Sequence, residues 1–165
     1  MRILLIRHAA AEDRSASGGD LARELTEEGR KKAAKAFKGL SRIYEGLDMI
    51  LCSEAARAYQ TACILADAFQ CKTVLRVGDL NPGCTYATFR KAIRQHAYKA
   101  ECIAVVGHEP DFSRLTAAIA GDGVLRVDVK KASCVELDVN ALCKGELRAV
   151  IPPRIAAAVK RIEED

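Results

Sequence analysis

The chain has 165 residues, half of them hydrophobic, with a formal net charge of +4. That length suits one domain, residues 1–165, with a sizeable core. Basic residues dispersed among acidic ones, four Tyr, four Phe and no Trp argue against a base-stacking nucleic-acid surface and remain compatible with an anionic substrate.

Cys52, Cys63, Cys71, Cys84, Cys102, Cys134 and Cys143 form no Cys-x-x-Cys pair and mostly lie in apolar stretches, which reads as reduced thiols. With no secretory leader pattern and no apolar run of membrane-spanning length, the expectation is a soluble cytoplasmic protein with no membrane or nucleic-acid partner.

Met1 to His8 opens the chain with four consecutive branched apolar residues and stops at Arg7-His8, as a strand buried on both faces does. In open α/β sheets ligands collect at the C-terminal strand ends, which places Arg7 and His8 on that edge. Residues 15–20 are rich in Gly and Ser and predict a mobile loop near it. Thr26 then caps a helix whose first turn carries Glu27 and Glu28, with Ala33, Ala34, Phe37 and Leu40 as its apolar face. The basic run from Arg30 to Lys38 reads as its solvated side.

Leu47 to Cys52 is a second strand. It ends at Ser53, read as the N-cap of the next helix, with Arg57 one turn in; a helix N-terminus and a guanidinium together suit an anion. Thr73 to Leu75 is a third strand, followed by the Asn81-Pro82-Gly83 turn. A helix over 85–98 carries His96 in its last turn, read as structural. Cys102 to Val106 is a fourth strand ending at Gly107-His108-Glu109, and Pro110 opens the helix that follows. Residues 132–139 and 145–151 predict a hairpin. Pro152-Pro153 starts a terminal helix ending in Lys160 to Asp165.

Strands alternating with helices indicate an α/β fold with a mostly parallel sheet. If the three strand ends are neighbours, two imidazoles and two guanidiniums meet. Paired guanidiniums favour a phosphoryl dianion, and a neutral imidazole beside them is a competent nucleophile toward phosphorus. Metal binding is the rival use of two histidines, but the arginines disfavour a cation and no third ligand has a recognisable spacing. Neither metal nor cofactor is therefore expected.

These residues resemble the histidine phosphatase (phosphoglycerate mutase-like) superfamily: Arg7-His8 its Arg-His (RHG) motif, Ser53 to Thr61 its Ser-x-x-x-Arg-Ala-x-Gln-Thr segment, Leu25 to Gly29 its Leu-Thr-x-x-Gly helix opening, and Gly107-His108-Glu109-Pro110 its second histidine. Length and the Asn81 region look most like SixA-type phosphohistidine phosphatases. The resemblance implies a single-domain three-layer sandwich with helices on both faces of the sheet. It also implies a phosphorylated His8 nucleophile, with Arg7, Arg57 and His108 holding the phosphoryl group and Ser53, Gly107 and Glu109 around the substrate.

Many relatives place a proton-donating Glu after the third strand. This chain has Leu80-Asn81-Pro82, and Asn does not serve as a general acid. A phosphohistidine leaves through a nitrogen that can be protonated beforehand, so the replacement favours a phosphohistidine-bearing protein as partner. Glu12, Asp13 and Glu109 remain candidate acids for a small phosphorylated substrate, the alternative reading. A non-catalytic phosphoprotein-binding module is the alternative from another class.

Overall fold

β1, Arg2–Arg7, lies inside the sheet because Ile3, Leu4, Leu5 and Ile6 have no exposed surface and demand cover on both sides. The computed structural model describes residues 1–15 and 18–160. Beside β1 are β2 Met49–Cys52, β3 Val74–Arg76, β4 Cys102–Gly107, β5 Cys134–Val139 and β6 Gly145–Ile151, in the order β3-β2-β4-β1-β5-β6. The pairings from β3 to β1 are parallel, and β5 and β6 add two antiparallel ones.

The helices are α1 Glu27–Leu40, α2 Ala56–Phe69, α3 Tyr86–His96, α4 Asp111–Ala120 and the single turn α5 Pro153–Ala156. Alternate β1 side chains feed two cores, as the two-residue period of a strand requires. Leu4 and Ile6 pack with Phe37, Leu40 and Leu65 of α1 and α2. Ile3 and Leu5 pack with Phe89, Ile93, Phe112 and Leu115 of α3 and α4. The result is the expected three-layer α/β sandwich, a mixed sheet with helices on both faces.

Thr26 caps α1 as expected, its Oγ1 accepting from the Gly29 N–H at 2.9 Å. The apolar face differs at one residue. Ala34 is exposed and Ala36 is buried, so the inward row is Ala33, Ala36, Phe37, Leu40, the i, i+3, i+4, i+7 spacing of one helical face. Lys31, Lys32, Lys35 and Lys38 are exposed, on the solvated side. His96 is the last residue of α3.

Ser53 does not cap α2. The helix starts at Ala56 with Ala55 in the cap position, and no side chain caps it. β5 begins at Cys134, not residue 132: Ala132 sits at φ 60°, donating its N–H to the Arg7 carbonyl at 3.0 Å, which turns the chain into the strand. Pro110 occupies the N-cap position of α4 and Asp111 is its first residue. The terminal helix lasts only one turn; residues 161–165 lie outside the described residues, as do Ala16 and Ser17 of the loop at 15–20. No helix among the described residues is long and apolar enough to cross a membrane.

Candidate active site

Strand register brings the candidate residues together. Arg7 of β1 pairs with Gly107 of β4, and Cys52 of β2 with Val106. The residues just past these strand ends, His8, His108 and Ser53, therefore emerge on one edge. The His8 N–H donates to the Gly107 carbonyl at 3.0 Å and the Ser53 N–H to the Val106 carbonyl at 3.0 Å, carrying the ladder one step further. The two imidazole centroids are 5.2 Å apart, the rings tilted by 56°.

The family-like segments have identifiable mechanical roles. In Ser53 to Thr61, Ala58 has no exposed surface. The Gln60 Oε1 accepts from the Leu25 N–H at 2.8 Å. The Thr61 hydroxyl donates to the Arg57 carbonyl at 2.7 Å and accepts from the Ala9 N–H at 3.1 Å, tying α2 to the chain after His8. In Leu25 to Gly29, the Thr26 N–H donates to the Ala10 carbonyl at 3.0 Å. A Cβ on Gly29 would stand 2.2 Å from that same oxygen, so only glycine lets α1 approach so closely. The third residue of the Arg-His motif is Ala9, where the RHG pattern has glycine.

His8, Arg57 and His108 are all buried. His8 Nδ1 lies 2.7 Å from the carbonyl oxygen of Ala9. Arg7 donates from Nη1 to the Val129 carbonyl at 2.8 Å. Arg57 donates from Nη1 to the Asp20 carbonyl at 2.6 Å and from Nη2 to Asp20 Oδ2 at 2.7 Å. Arg7 Nε, Arg57 Nε and His108 Nε2 are buried without a hydrogen-bond partner among the described residues. Buried polar groups in folded proteins are normally satisfied, so these three nitrogens are candidate contacts for a ligand.

Burial lowers the His8 pKa to about 4; Arg57, Arg7 and Lys131 push the same way against the Ala9 hydrogen bond, which raises it. His108 is lowered to about 3, by burial first and then by His8, Arg57 and Arg7, with Asp20 acting in the opposite direction. Both rings are neutral at pH 7.

The other candidates are placed differently. Ser53 has no exposed surface; its hydroxyl donates to Asn81 Oδ1 at 2.9 Å and accepts from the Ala55 N–H at 3.2 Å. Asn81 also accepts from the Glu54 N–H and donates to Glu54 Oε2, both at 2.9 Å, so it braces the β2–α2 turn. Gly107 is under the ring of Phe112, where a Cβ would come within 2.7 Å of Cζ. Glu109 accepts from the Ser113 N–H at 3.1 Å and its hydroxyl at 2.6 Å. It lines an open cleft of about 530 Å³ together with Arg7, Ser113 and residues 126–129. Glu12 and Asp13 are exposed.

Two residues beside these groups carry no motif signal in the sequence: Lys131 and above all Asp20. The available signal was the spacing Asp20-x-x-Arg23 immediately before Leu25-Thr26, two charges of opposite sign closing a Gly- and Ser-rich run.

A family model described as the histidine phosphatase superfamily (branch 1) matches residues 3–81. No curated protein matches the chain by sequence. Among solved structures, the protein histidine phosphatase SixA complexed with tungstate superimposes with a TM-score of 0.84 at 18% identity, over 93% of this chain and 98% of that one. The α-ribazole phosphatase from Shigella flexneri gives 0.68 at 21% identity, over 93% and 97%. A mycobacterial glucosyl-3-phosphoglycerate phosphatase with inorganic phosphate gives 0.66 at 18%, over 95% and 99%. At these identities the likeness is one of fold. The chain is thus similar to the histidine phosphatase superfamily in sequence over residues 3–81 and to these phosphatases in fold along nearly its whole length.

Proposed function

We propose that the protein dephosphorylates phosphohistidine in a partner protein, with His8 as the nucleophile. The observation that carries this reading is the 2.7 Å contact from His8 Nδ1 to the Ala9 carbonyl. A carbonyl oxygen only accepts, so Nδ1 carries the proton and the lone pair resides on Nε2. With its pKa lowered to about 4 by burial, that lone pair is available at neutral pH.

Phosphoryl transfer spreads charge over three equatorial oxygens and needs positioning and neutralisation above all. Arg7 Nε and Arg57 Nε supply two buried donors, and neutral His108 supplies a third in the tautomer that carries its proton on Nε2. In the first step His8 Nε2 bonds to phosphorus as the substrate's N–P bond breaks. The substrate imidazole, already protonated on its other nitrogen, leaves neutral. His8 then carries the phosphoryl group with Nδ1–H still held by Ala9. In the second step water bonds to phosphorus, His8 leaves as the neutral ring, and both water protons depart with the phosphate.

No step in this sequence requires the carboxylic acid that Asn81 stands in place of. A second reading, a small-molecule phosphomonoesterase, is favoured by the fold likeness to the α-ribazole and glucosyl-3-phosphoglycerate phosphatases. An alkoxide leaving group needs a proton donor, and Glu109, which lines the cleft together with Arg7, is a candidate for that role.

The test is hydrolysis of a phosphohistidine-bearing protein and a simple phosphomonoester side by side with chelator present, followed by acid and base quenching. Preferential turnover of the phosphohistidine, with an acid-labile and base-stable label on His8, is expected. Preference for the ester transfers the conclusion to the second reading. No turnover and no label would leave a phosphoprotein-binding module.

A further inference from the structure

Arg57 is held by a residue that no motif includes. Its side chain is only 5% exposed, yet the carboxylate that pairs with it belongs to Asp20, 54% exposed in the turn Asp20–Ala22. Asp20 grips both terminal nitrogens, Nη1 through its backbone carbonyl at 2.6 Å and Nη2 through Oδ2 at 2.7 Å. The nitrogen left over is Nε, which is buried and unpartnered like Arg7 Nε and His108 Nε2.

The grip is itself anchored. Asp20 Oδ1 accepts from Arg23 Nη1 at 2.8 Å, and Arg23 Nε donates to the Glu12 carbonyl at 2.7 Å. The Arg23 carbonyl accepts the Arg57 backbone N–H at 3.1 Å. The turn is thereby fastened both to the segment following His8 and to the first turn of α2.

We propose that Asp20 is a positioning residue for phosphoryl transfer: it clamps the terminal nitrogens of Arg57 and leaves the Nε donor to the phosphoryl group. This rests on the reading of Arg57 as a phosphoryl-binding group. A planar guanidinium has five donors in a fixed fork, so holding one N–H of each terminal nitrogen fixes the plane and with it the direction of the buried Nε–H before substrate arrives. Asp20 is not a proton donor here. Both carboxylate oxygens accept from guanidiniums, and those two hydrogen bonds hold its pKa below the usual carboxylate range.

The experiment compares wild type, Asp20→Ala, Asp20→Glu, Arg57→Ala and the Asp20→Ala/Arg57→Ala double variant. Inorganic phosphate binding is read by calorimetry, and kcat and KM by turnover of a phosphohistidine-bearing protein. Asp20→Ala is expected to lower kcat about 10–100-fold, the scale of a small misplacement of a catalytic group, and to weaken phosphate binding in parallel. In the Arg57→Ala background the same change should add almost nothing, because the group it positions has gone.

Tighter phosphate binding or faster turnover in Asp20→Ala would overturn the inference, since Asp20 would then be competing for Arg57. Full additivity in the double variant would overturn it too, by placing the effect elsewhere. Should Asp20→Ala fail to fold, Asp20→Glu carries the test: it keeps the charge but displaces it by a methylene, so wild-type phosphate affinity and kcat in that variant would refute the clamp. The phosphatase reading fails separately. Phosphate binding coupled to Arg57 and Asp20 without any label on His8 would remove the nucleophile and leave the clamp standing.

Discussion

The two ends of the parallel strands are both rich in charge, but they treat it oppositely. At the N-terminal end Arg2 pairs with Glu136 at 3.1 Å, and the Tyr44 hydroxyl donates to the same carboxylate at 2.9 Å. Asp48 accepts from the Glu101 and Cys102 N–H groups at 2.7 and 3.0 Å. At the C-terminal end, three buried nitrogens of Arg7, Arg57 and His108 have no partner among the described residues. The cleft at the first end, lined by Met1, Arg2, Asp48 and Asp138 among others, measures about 1150 Å³ against about 530 Å³ beside Arg7. Volume thus points to one end and unspent hydrogen-bonding capacity to the other. The second is the better guide to chemistry, because a buried donor without a partner is a cost to folding that a bound ligand can offset.

The sharpest attempt to break this contrast is His8→Ala, expected to reduce turnover by about 10⁴-fold or more, as loss of a nucleophile does in other covalent catalysts. Retained activity with an intact circular-dichroism spectrum would remove His8 as nucleophile. Arg57→Ala comes next. Losing one preorganised donor should cost roughly 2.7–4 kcal/mol of transition-state stabilisation, or about 10²–10³ in kcat, and a wild-type rate would detach Arg57 from the site.

A smaller effect concerns pH. With His8 as the proposed nucleophile, turnover requires its neutral form, whose pKa is lowered to about 4 by burial, so the acid limb of kcat/KM should fall well below pH 6.5. At pH 5 the rate should exceed by roughly 30-fold that of an enzyme using an unperturbed imidazole. Stability follows the same linkage. Between pH 6.5 and about 4 the unfolded chain binds more protons at His8, so stability declines as pH falls through that window; denaturant titrations at pH 7 and pH 5 should resolve it. His108, lowered to about 3, extends the decline further.

The smallest effect belongs to the opposite end of the sheet. Tyr44→Phe removes a hydrogen bond to Glu136 and should cost about 1 kcal/mol of stability with kcat unchanged. A large loss of activity in that variant would mean the two ends are coupled, and the contrast between them would fail.

Much of the fold was readable from local patterns, for reasons the structure makes plain. β1 and β4 are buried on both faces, so their sequences are uninterrupted apolar runs, and the polar residues that stop them mark the sheet edge. Thr26 was recognisable as a cap because a cap needs only its own helix. Ser53 misled because cap chemistry is shared: the hydroxyl accepts from a nearby N–H as a cap does, but its own proton goes to Asn81, 28 residues away. Ala34 and Ala36 are chemically identical, and only the orientation of α1 against the sheet separates the exposed one from the buried one.

Asp20 shows where local reading ends. Within residues 15–20 it is one polar residue among glycines and serines, and its importance lies in Arg57, 37 positions on. The amino-acid order alone specified the layered α/β architecture, the strand ends and the pairing of two imidazoles with two guanidiniums, because burial and hydrophobic period act over a few residues at a time. Folding settled which nitrogens of those groups are spent and which are free. For the two arginines that depends on carbonyls and a carboxylate brought from distant segments, Val129 against Arg7 and Asp20 against Arg57, and such long-range hydrogen bonds leave no periodic trace in a sequence.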